Sequence, residues 1–235
     1  MRHADYSLPA TWDAALKGAD KVLLISSSEI GQRARQHRTV IEAAKKAGVK
    51  LLAYTSVLRA DTSVLGLAGE HKETEATIRA SGVPFVLLRN GWYTENYMGS
   101  VPSALAHGSV YGCAGDGRIS SASRADYAEA AAVALTSDNQ AGKIYELAGD
   151  GAFTLTELAA EISRQSGKTI GYVNLPEVEY KNALIKVGLP EVLADLLADS
   201  DTGVSKGALF DEGHQLSNLI GRPTVPLAKS VAAVL

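Results

Sequence analysis

Short, continuous apolar runs alternate along this chain with longer stretches of helical period, and that alternation limits the fold more than any other feature. Lys21 to Ser26, Lys50 to Thr55 and Phe85 to Arg89 are each four to six residues long and rich in Val, Leu and Ile. Runs of this kind, bounded by turn residues, suit strands covered on both faces. Between them, Gln32 to Ala47 and Glu70 to Ser81 carry helical patterning and stop at Gly48 and Gly82. Strand, helix and strand in repeated order build a parallel sheet clothed by helices, the α/β class.

The rest of the chain is read in the same way. Pro9 to Leu16 reads as a short helix closed by Gly18. Beyond Met98 the pattern changes to a helix, a glycine-rich stretch from Gly108 to Gly117, the alanine-rich helix Arg124 to Thr136 and a strand from Lys143 to Leu147. Thr154-Leu-Thr-Glu157 has capping-box spacing, which starts a helix that runs to Ser166 and ends at Gly167. A strand from Thr169 to Val173 follows, then helices over Glu177 to Val187 and Glu191 to Ala198, and a last helix after Pro226. The two Ala-Gly-Asp-Gly tetrapeptides, at Ala114 to Gly117 and Ala148 to Gly151, read as two unrelated tight turns rather than a repeat.

In parallel sheets ligands bind at the carboxyl ends of the strands. Here those ends are Ser26-Ser-Ser28, Thr55-Ser56 and Arg89-Asn-Gly91. The net charge of −3 and the scattered basic residues point away from nucleic acid. No apolar stretch approaches the roughly 20 residues of a membrane helix, and the start lacks an apolar signal core, so a cytoplasmic protein without membrane insertion is expected. Cys113 is the one cysteine and reads as a packed, inert thiol. The five histidines have no metal-ligand spacing, and no metal is expected.

A dinucleotide site also wants a glycine-rich turn between a strand and a helix, where backbone N–H groups meet the pyrophosphate. No such turn follows a strand in this sequence, and Gly66-Leu-Ala-Gly69 follows a polar loop. Four segments nonetheless carry a family pattern in order: Lys21-Val-Leu-Leu-Ile-Ser-Ser-Ser-Glu-Ile-Gly-Gln-Arg33, Ala53-Tyr-Thr-Ser56, Leu88-Arg-Asn-Gly-Trp-Tyr-Thr-Glu-Asn-Tyr97 and Ser123-Arg-Ala-Asp-Tyr-Ala128, with Leu219-Ile-Gly-Arg222 near the end. Together they resemble the NAD(P)H-dependent quinone oxidoreductases of the NmrA-like, atypical short-chain dehydrogenase group. The resemblance covers essentially the whole chain. It implies a Rossmann-like, doubly wound parallel sheet with a smaller mixed α/β C-terminal lobe. Residues 1–97 would form the NAD(P)-binding part and 98–235 predominantly the substrate lobe, with about 124–147 returning to the sheet domain. It also implies that a βαβ unit of roughly 45 to 50 residues, holding the glycine-rich turn, would precede Met1 in the family. For the chain as written, the expectations that follow are weak cofactor binding and a sheet edge prone to association, with a homo-oligomer left open.

The same resemblance implies the site. Leu24, Ile25 and Ser26 would pass beside the adenosine, and Thr55 and Ser56 beside the nicotinamide ribose. Arg89 and Arg124 would reach the cofactor, which is NADPH, with NADH as the other candidate. Asn90, Gly91, Trp92, Tyr93, Thr94 and Glu95 would line the place of a small-molecule quinone between Trp92, Asn90 and the second lobe. His71 and Glu75 lie four apart on one helix face. They stand where short-chain dehydrogenases carry a catalytic Tyr and Lys, with His71 as a weak acid or else an ordinary, partly exposed helix histidine. Core packing of Trp92 and a surface pairing of Arg124 with Asp126 or Glu129 are the plain structural readings. The activity implied is NAD(P)H-dependent quinone reduction by direct hydride transfer. The alternative is a non-catalytic NAD(P)-binding regulator or an inactive form.

Overall fold

The computed structural model describes residues 2–235. In chain order it contains α1 (Trp12–Ala15, preceded by a 3-10 turn, Pro9–Thr11), β1 (Lys21–Leu24), α2 (Arg33–Lys46), β2 (Leu51–Val57), α3 (Ala68–Ser81), β3 (Phe85–Asn90), α4 (Thr94–Met98) and α5 (Val101–His107). These are followed by β4 (Ser109–Gly112), α6 (Arg124–Thr136), β5 (Ile144–Leu147), α7 (Leu155–Ser166), β6 (Gly171–Asn174), α8 (Glu177–Lys186), α9 (Glu191–Ser205), α10 (Gln215–Ile220) and α11 (Leu227–Ala232).

Two compact units share the chain. The first holds the residues up to Thr62, Leu67–Asn90 and Ala128–Leu147. Its sheet has the order β1-β2-β3-β5, every pair parallel. β2 lies inside, and all seven of its residues are buried, which suits its apolar stretch from Leu51 to Tyr54. The core gathers Leu24, Leu52, Tyr54 and Leu87 from the strands with Val40, Ile41 and Ala44 of α2 and Ile78 of α3.

The buried stripe of α2 begins with Arg33, Gln36 and His37 before it turns apolar at Val40, Ile41 and Ala44, and α3 likewise buries His71, Thr74 and Glu75. Polar groups at that depth need partners. His37 supplies several. Its Nε2 accepts the Ser27 N–H at 2.9 Å, and its Nδ1 lies 3.0 Å from the Thr74 hydroxyl, which donates to the Glu70 carbonyl at 2.8 Å. Accepting at Nε2 makes His37 the neutral Nδ1–H tautomer. Burial holds its pKa down, to about 4, with Arg33 adding to the effect.

The second unit holds Ser63–Gly66, Gly91–Tyr127 and Ala148–Leu235. A two-stranded parallel sheet of β4 and β6 lies in it. α7 opens with the capping box, the Thr154 hydroxyl accepting from the Glu157 N–H at 3.1 Å and the Glu157 carboxylate from the Thr154 N–H at 2.7 Å. Two aspartates fasten the C-terminal segment. Asp126 accepts from the Ser123 hydroxyl at 2.7 Å and the Val225 N–H at 3.0 Å and pairs with Arg222 at 2.7 Å. Asp150 takes the Ser217 hydroxyl at 2.6 Å and the Thr224 N–H at 2.9 Å.

Several boundaries depart from the sequence expectation: β1 stops at Leu24, before Ser26, β6 starts at Gly171, after Thr169, and two elements run longer than read. β2 continues to Val57, and α9 runs on past Ala198 to Ser205. Ser200-Asp-Thr-Gly203 has the composition of a helix stop, but Ser200, Asp201 and Gly203 are buried, and a Cβ on Gly203 would stand 2.4 Å from Leu65 Cδ2. Packing here overrides propensity. The two tetrapeptides also differ physically. In the first, Gly117 is the crowded position, its missing Cβ 2.4 Å from the Val204 carbonyl oxygen; in the second it is Gly149, at 2.0 Å from the Ser121 carbonyl oxygen. Gly151 has open space.

Candidate active site

Because the strands of the first unit are parallel, Leu24, Val57, Asn90 and Leu147 all end on one edge of the sheet. Leu24 is core, whereas the side chain of Ile25 is exposed. The Ser26 N–H donates to the Thr55 hydroxyl at 2.8 Å and so joins the end of β1 to β2. Since Thr55 Oγ1 accepts there, its own hydrogen remains free to donate.

Ser56, Arg89 and Glu146 stand side by side in register on β2, β3 and β5. Glu75 of α3 completes the group. The Arg89 guanidinium meets the Glu75 carboxylate twice, Nε to Oε1 at 2.9 Å and Nη2 to Oε2 at 2.8 Å. It also reaches Glu146 at 2.8 Å and Asp61 at 3.0 Å. The Ser56 hydroxyl donates to Glu75 at 2.6 Å. Arg89 and Ser56 thereby hold the Glu75 carboxyl below its ordinary range against the opposing effect of burial. Asn90, beside this group, is 5% exposed, and its Oδ1 is buried with no hydrogen-bond partner.

His71 lies one turn before Glu75 but in different company. It is 4% exposed, not partly exposed as an ordinary helix histidine would be, and its Nδ1 is 2.7 Å from the Tyr54 hydroxyl. Burial holds its pKa down to about 3, which makes it a neutral imidazole across the physiological range.

In the second unit, Trp92 to Glu95 and the segment before α6 are knitted together. The Thr94 N–H donates to the Ala122 carbonyl at 3.0 Å, and its hydroxyl lies 2.8 Å from that of Ser121. The Glu95 carboxylate accepts the Arg124 N–H at 2.9 Å, at the first turn of α6 where a negative charge is favoured. The Arg124 guanidinium lies 4.7 Å over the Tyr93 ring and donates to the Asn96 side chain at 3.1 Å. It has no carboxylate partner among the described residues, so the expected pairing with Asp126 or Glu129 does not form. Asp126 is taken by Arg222 instead. Gly66 donates its amide to the Asp199 carboxylate at 2.7 Å and so does not offer it to a phosphate.

Trp92 also borders a cavity of about 380 Å³ within the second unit, lined further by Tyr97, Tyr180, Leu184, Leu197 and Asp201 among others. The structure thus joins Ser56, Glu75 and Arg89 in one cluster, Ser26 with Thr55, and Tyr93 and Glu95 with Arg124. It groups His71 with Tyr54. Glu146, Asp61, Tyr97 and Asp201 escaped the sequence reading. No local pattern marks them, although a Glu on a strand otherwise read as buried, as Glu146 is, signals a buried cation beside it. Among the described residues no group of three or more His, Cys, Asp or Glu side chains could hold a metal, and no helix is long and apolar enough to cross a membrane.

The NmrA-like family model matches residues 2–206. The chain belongs to that family. This NmrA-like protein is 60% identical over 232 residues to quinone oxidoreductase 2 of Escherichia coli (strain K12), an alignment covering 99% of the chain and 81% of the relative. The crystal structure of the Escherichia coli NADPH-dependent quinone oxidoreductase complexed with NADPH superposes with a TM-score of 0.97 over 99% of this chain and 82% of that one. Triphenylmethane reductase from Citrobacter sp., complexed with NADP(H), matches at 34% identity and a TM-score of 0.95, covering 100% of this chain and 83% of that one. The NmrA-like fold is therefore α/β with a Rossmann-like parallel sheet.

Proposed function

We propose that this NmrA-like protein reduces quinones by direct hydride transfer from NADPH. The observation that carries the reading is the 60% identity sustained over 99% of the chain to a relative named for that activity. The residues at the carboxyl edge of the sheet suit a nicotinamide nucleotide on their own chemistry. Asn90 Oδ1 is a buried acceptor without a donor, and a carboxamide N–H or a sugar hydroxyl would supply one. Thr55 has a hydroxyl hydrogen to give, since its oxygen already accepts from Ser26. Ile25 and Ser26 offer an exposed apolar flank followed by a polar turn, which suits adenosine, while Leu24 is buried in the core beneath them. NADPH, when bound, supplies the hydride, and NADH carries the same nicotinamide.

The chain's own residues then bind and orient. Arg124, an exposed cation steadied by Tyr93 and Asn96, is the group free to meet a phosphate or a quinone oxygen. Arg89 is occupied by carboxylates, and we assign it, with Glu75, to positioning: the pair fixes the ends of β2 and β3 against α3. His71, neutral and hydrogen-bonded to Tyr54, keeps the same helix seated and gives no proton at neutral pH. A quinone needs no acid ahead of hydride arrival, so the missing Tyr and Lys pair is no obstacle. Trp92 presents an aromatic surface for a flat acceptor. A cytoplasmic setting accompanies this reading, because the reductant is found there.

Mixing the purified protein with NADPH and menadione, and following nicotinamide absorbance, tests the reading. Oxidation that depends on both components is expected. No oxidation with menadione or any of several smaller quinones would sink it.

A further inference from the structure

The cavity of the second unit contains a buried carboxyl with one backbone hydrogen bond and no cation beside it. Asp201, on α9, is 7% exposed and faces a lining that is mostly aromatic and aliphatic, with Asn96, Ser100, Ser103 and Ser109 as its other polar side chains. One of its oxygens accepts the Cys113 N–H at 3.1 Å, and no cation pairs with it. Buried carboxyls are ordinarily paired or well hydrogen-bonded. Tyr97, in the same wall, has a buried hydroxyl without a partner. Two under-satisfied polar groups in a largely apolar chamber of about 380 Å³, toward the lower end of the range of roughly 300 to 1,000 Å³ typical of small-molecule pockets, describe a ligand site rather than a packing defect.

We propose that this cavity holds a flat aromatic acceptor, its ring beside Trp92 and one of its carbonyl oxygens on the Asp201 carboxyl. The class of occupant rests on the quinone-reductase reading; the site rests on the cavity and its polar groups. As an acid Asp201 donates to a quinone carbonyl, and as a carboxylate it accepts from a hydroquinone hydroxyl, so one side chain serves both redox forms. Desolvation raises its pKa to about 6. The titratable groups around it are Tyr97 of α4, Cys113 after β4, Tyr172 of β6 and Tyr180 of α8. Glu177 of α8 adds a further negative charge near the Cys113 thiol and accepts from the Thr202 hydroxyl at 2.7 Å. None of these is a cation that would keep the carboxyl ionised. The Cys113 thiol, pushed up to about 11 by burial, stays protonated and does not attack a bound quinone.

The chain has two tryptophans, so a Trp12→Phe background leaves Trp92 as the reporter. Menadione and naphthalene, similar rings with and without carbonyls, are titrated against it by fluorescence quenching, with no cofactor present. Menadione is expected to bind saturably and more tightly than naphthalene. Its affinity should fall about tenfold as pH rises through about 6, while that of naphthalene stays flat. In Asp201→Asn, whose amide can still accept from Cys113 and donate to the carbonyl, menadione binding should persist and lose its pH dependence. In Asp201→Leu it should drop to the level of naphthalene. Menadione binding that is independent of pH in the unsubstituted protein, or no tighter than naphthalene, overturns the assignment. NADPH-dependent menadione reduction without the binding signature removes the cavity site and leaves the reductase reading standing; the signature without reduction does the reverse.

Discussion

Arg89 makes four hydrogen bonds to carboxylates, two of them to a Glu75 that is 1% exposed. A guanidinium so engaged cannot be exchanged for an ammonium or a neutral side chain without stranding a buried negative charge. Arg89→Met should lower unfolding free energy by about 3–5 kcal/mol, the usual cost of breaking a buried pair. The double variant Arg89→Met, Glu75→Met should recover much of that loss, measured by urea denaturation of all four members of the cycle. Recovery is what a positioning pair predicts; an arginine that served only to hold phosphate would show no coupling to Glu75. Sequence alone could list Arg89, Ser56 and Glu75, because family pattern marks each of them. It could not join them, since they meet through strand register and helix packing across separations of up to 33 residues. Asp201 was beyond its reach altogether, for an Asp inside Ser-Asp-Thr-Gly looks like any exposed helix end.

Among the elements, the strands and long helices of the first unit were readable because each carries its own periodicity and its own glycine stop, as α3 does at Gly82 with φ 77°. The loops between them were not. The two Ala-Gly-Asp-Gly turns make the point, since identical letters demand glycine at different places. Gly149→Ala should destabilise by about 1–3 kcal/mol or more, as overpacking against backbone does. Gly151→Ala, with open space around it, should change stability by less than about 0.5 kcal/mol. Thermal unfolding of the two variants side by side reads the difference. Equal effects would mean that the Ser121 carbonyl moves aside.

For the whole molecule, the buried titratable groups fix how stability depends on pH. His37 and His71 are held below the free value of 6.5, at about 4 and about 3. Each therefore contributes stability that is complete above pH 6.5 and is lost as acidification carries the pH toward the folded value. Asp201, raised from 3.8 to about 6, acts in the opposite sense: its contribution is complete below 3.8 and is lost as pH rises through 6. Two groups outweigh one. From these three groups unfolding free energy should fall on acidification from pH 6 to 4 by about 1.4 kcal/mol per unit, the worth of one proton, and Glu75, held below its ordinary range, adds in the same direction. Asp201→Asn should steepen that slope and His71→Gln should flatten it, both followed by denaturant midpoints across the range. A slope of the other sign would mean that the histidines are solvated.

The hydrogen bond from Ser27 to His37 extends beyond stability. Ser26-Ser-Ser28 has the composition of a mobile loop, yet the Ser27 amide ends a chain of partners that passes through the imidazole and Thr74 to the backbone of α3. Held by a partner that is itself fixed to both α2 and α3, this amide proton should exchange with solvent more slowly than that of an unpartnered loop residue. The turn that follows β1 is therefore tied to the helices packed beside the sheet rather than left to move as a loose loop.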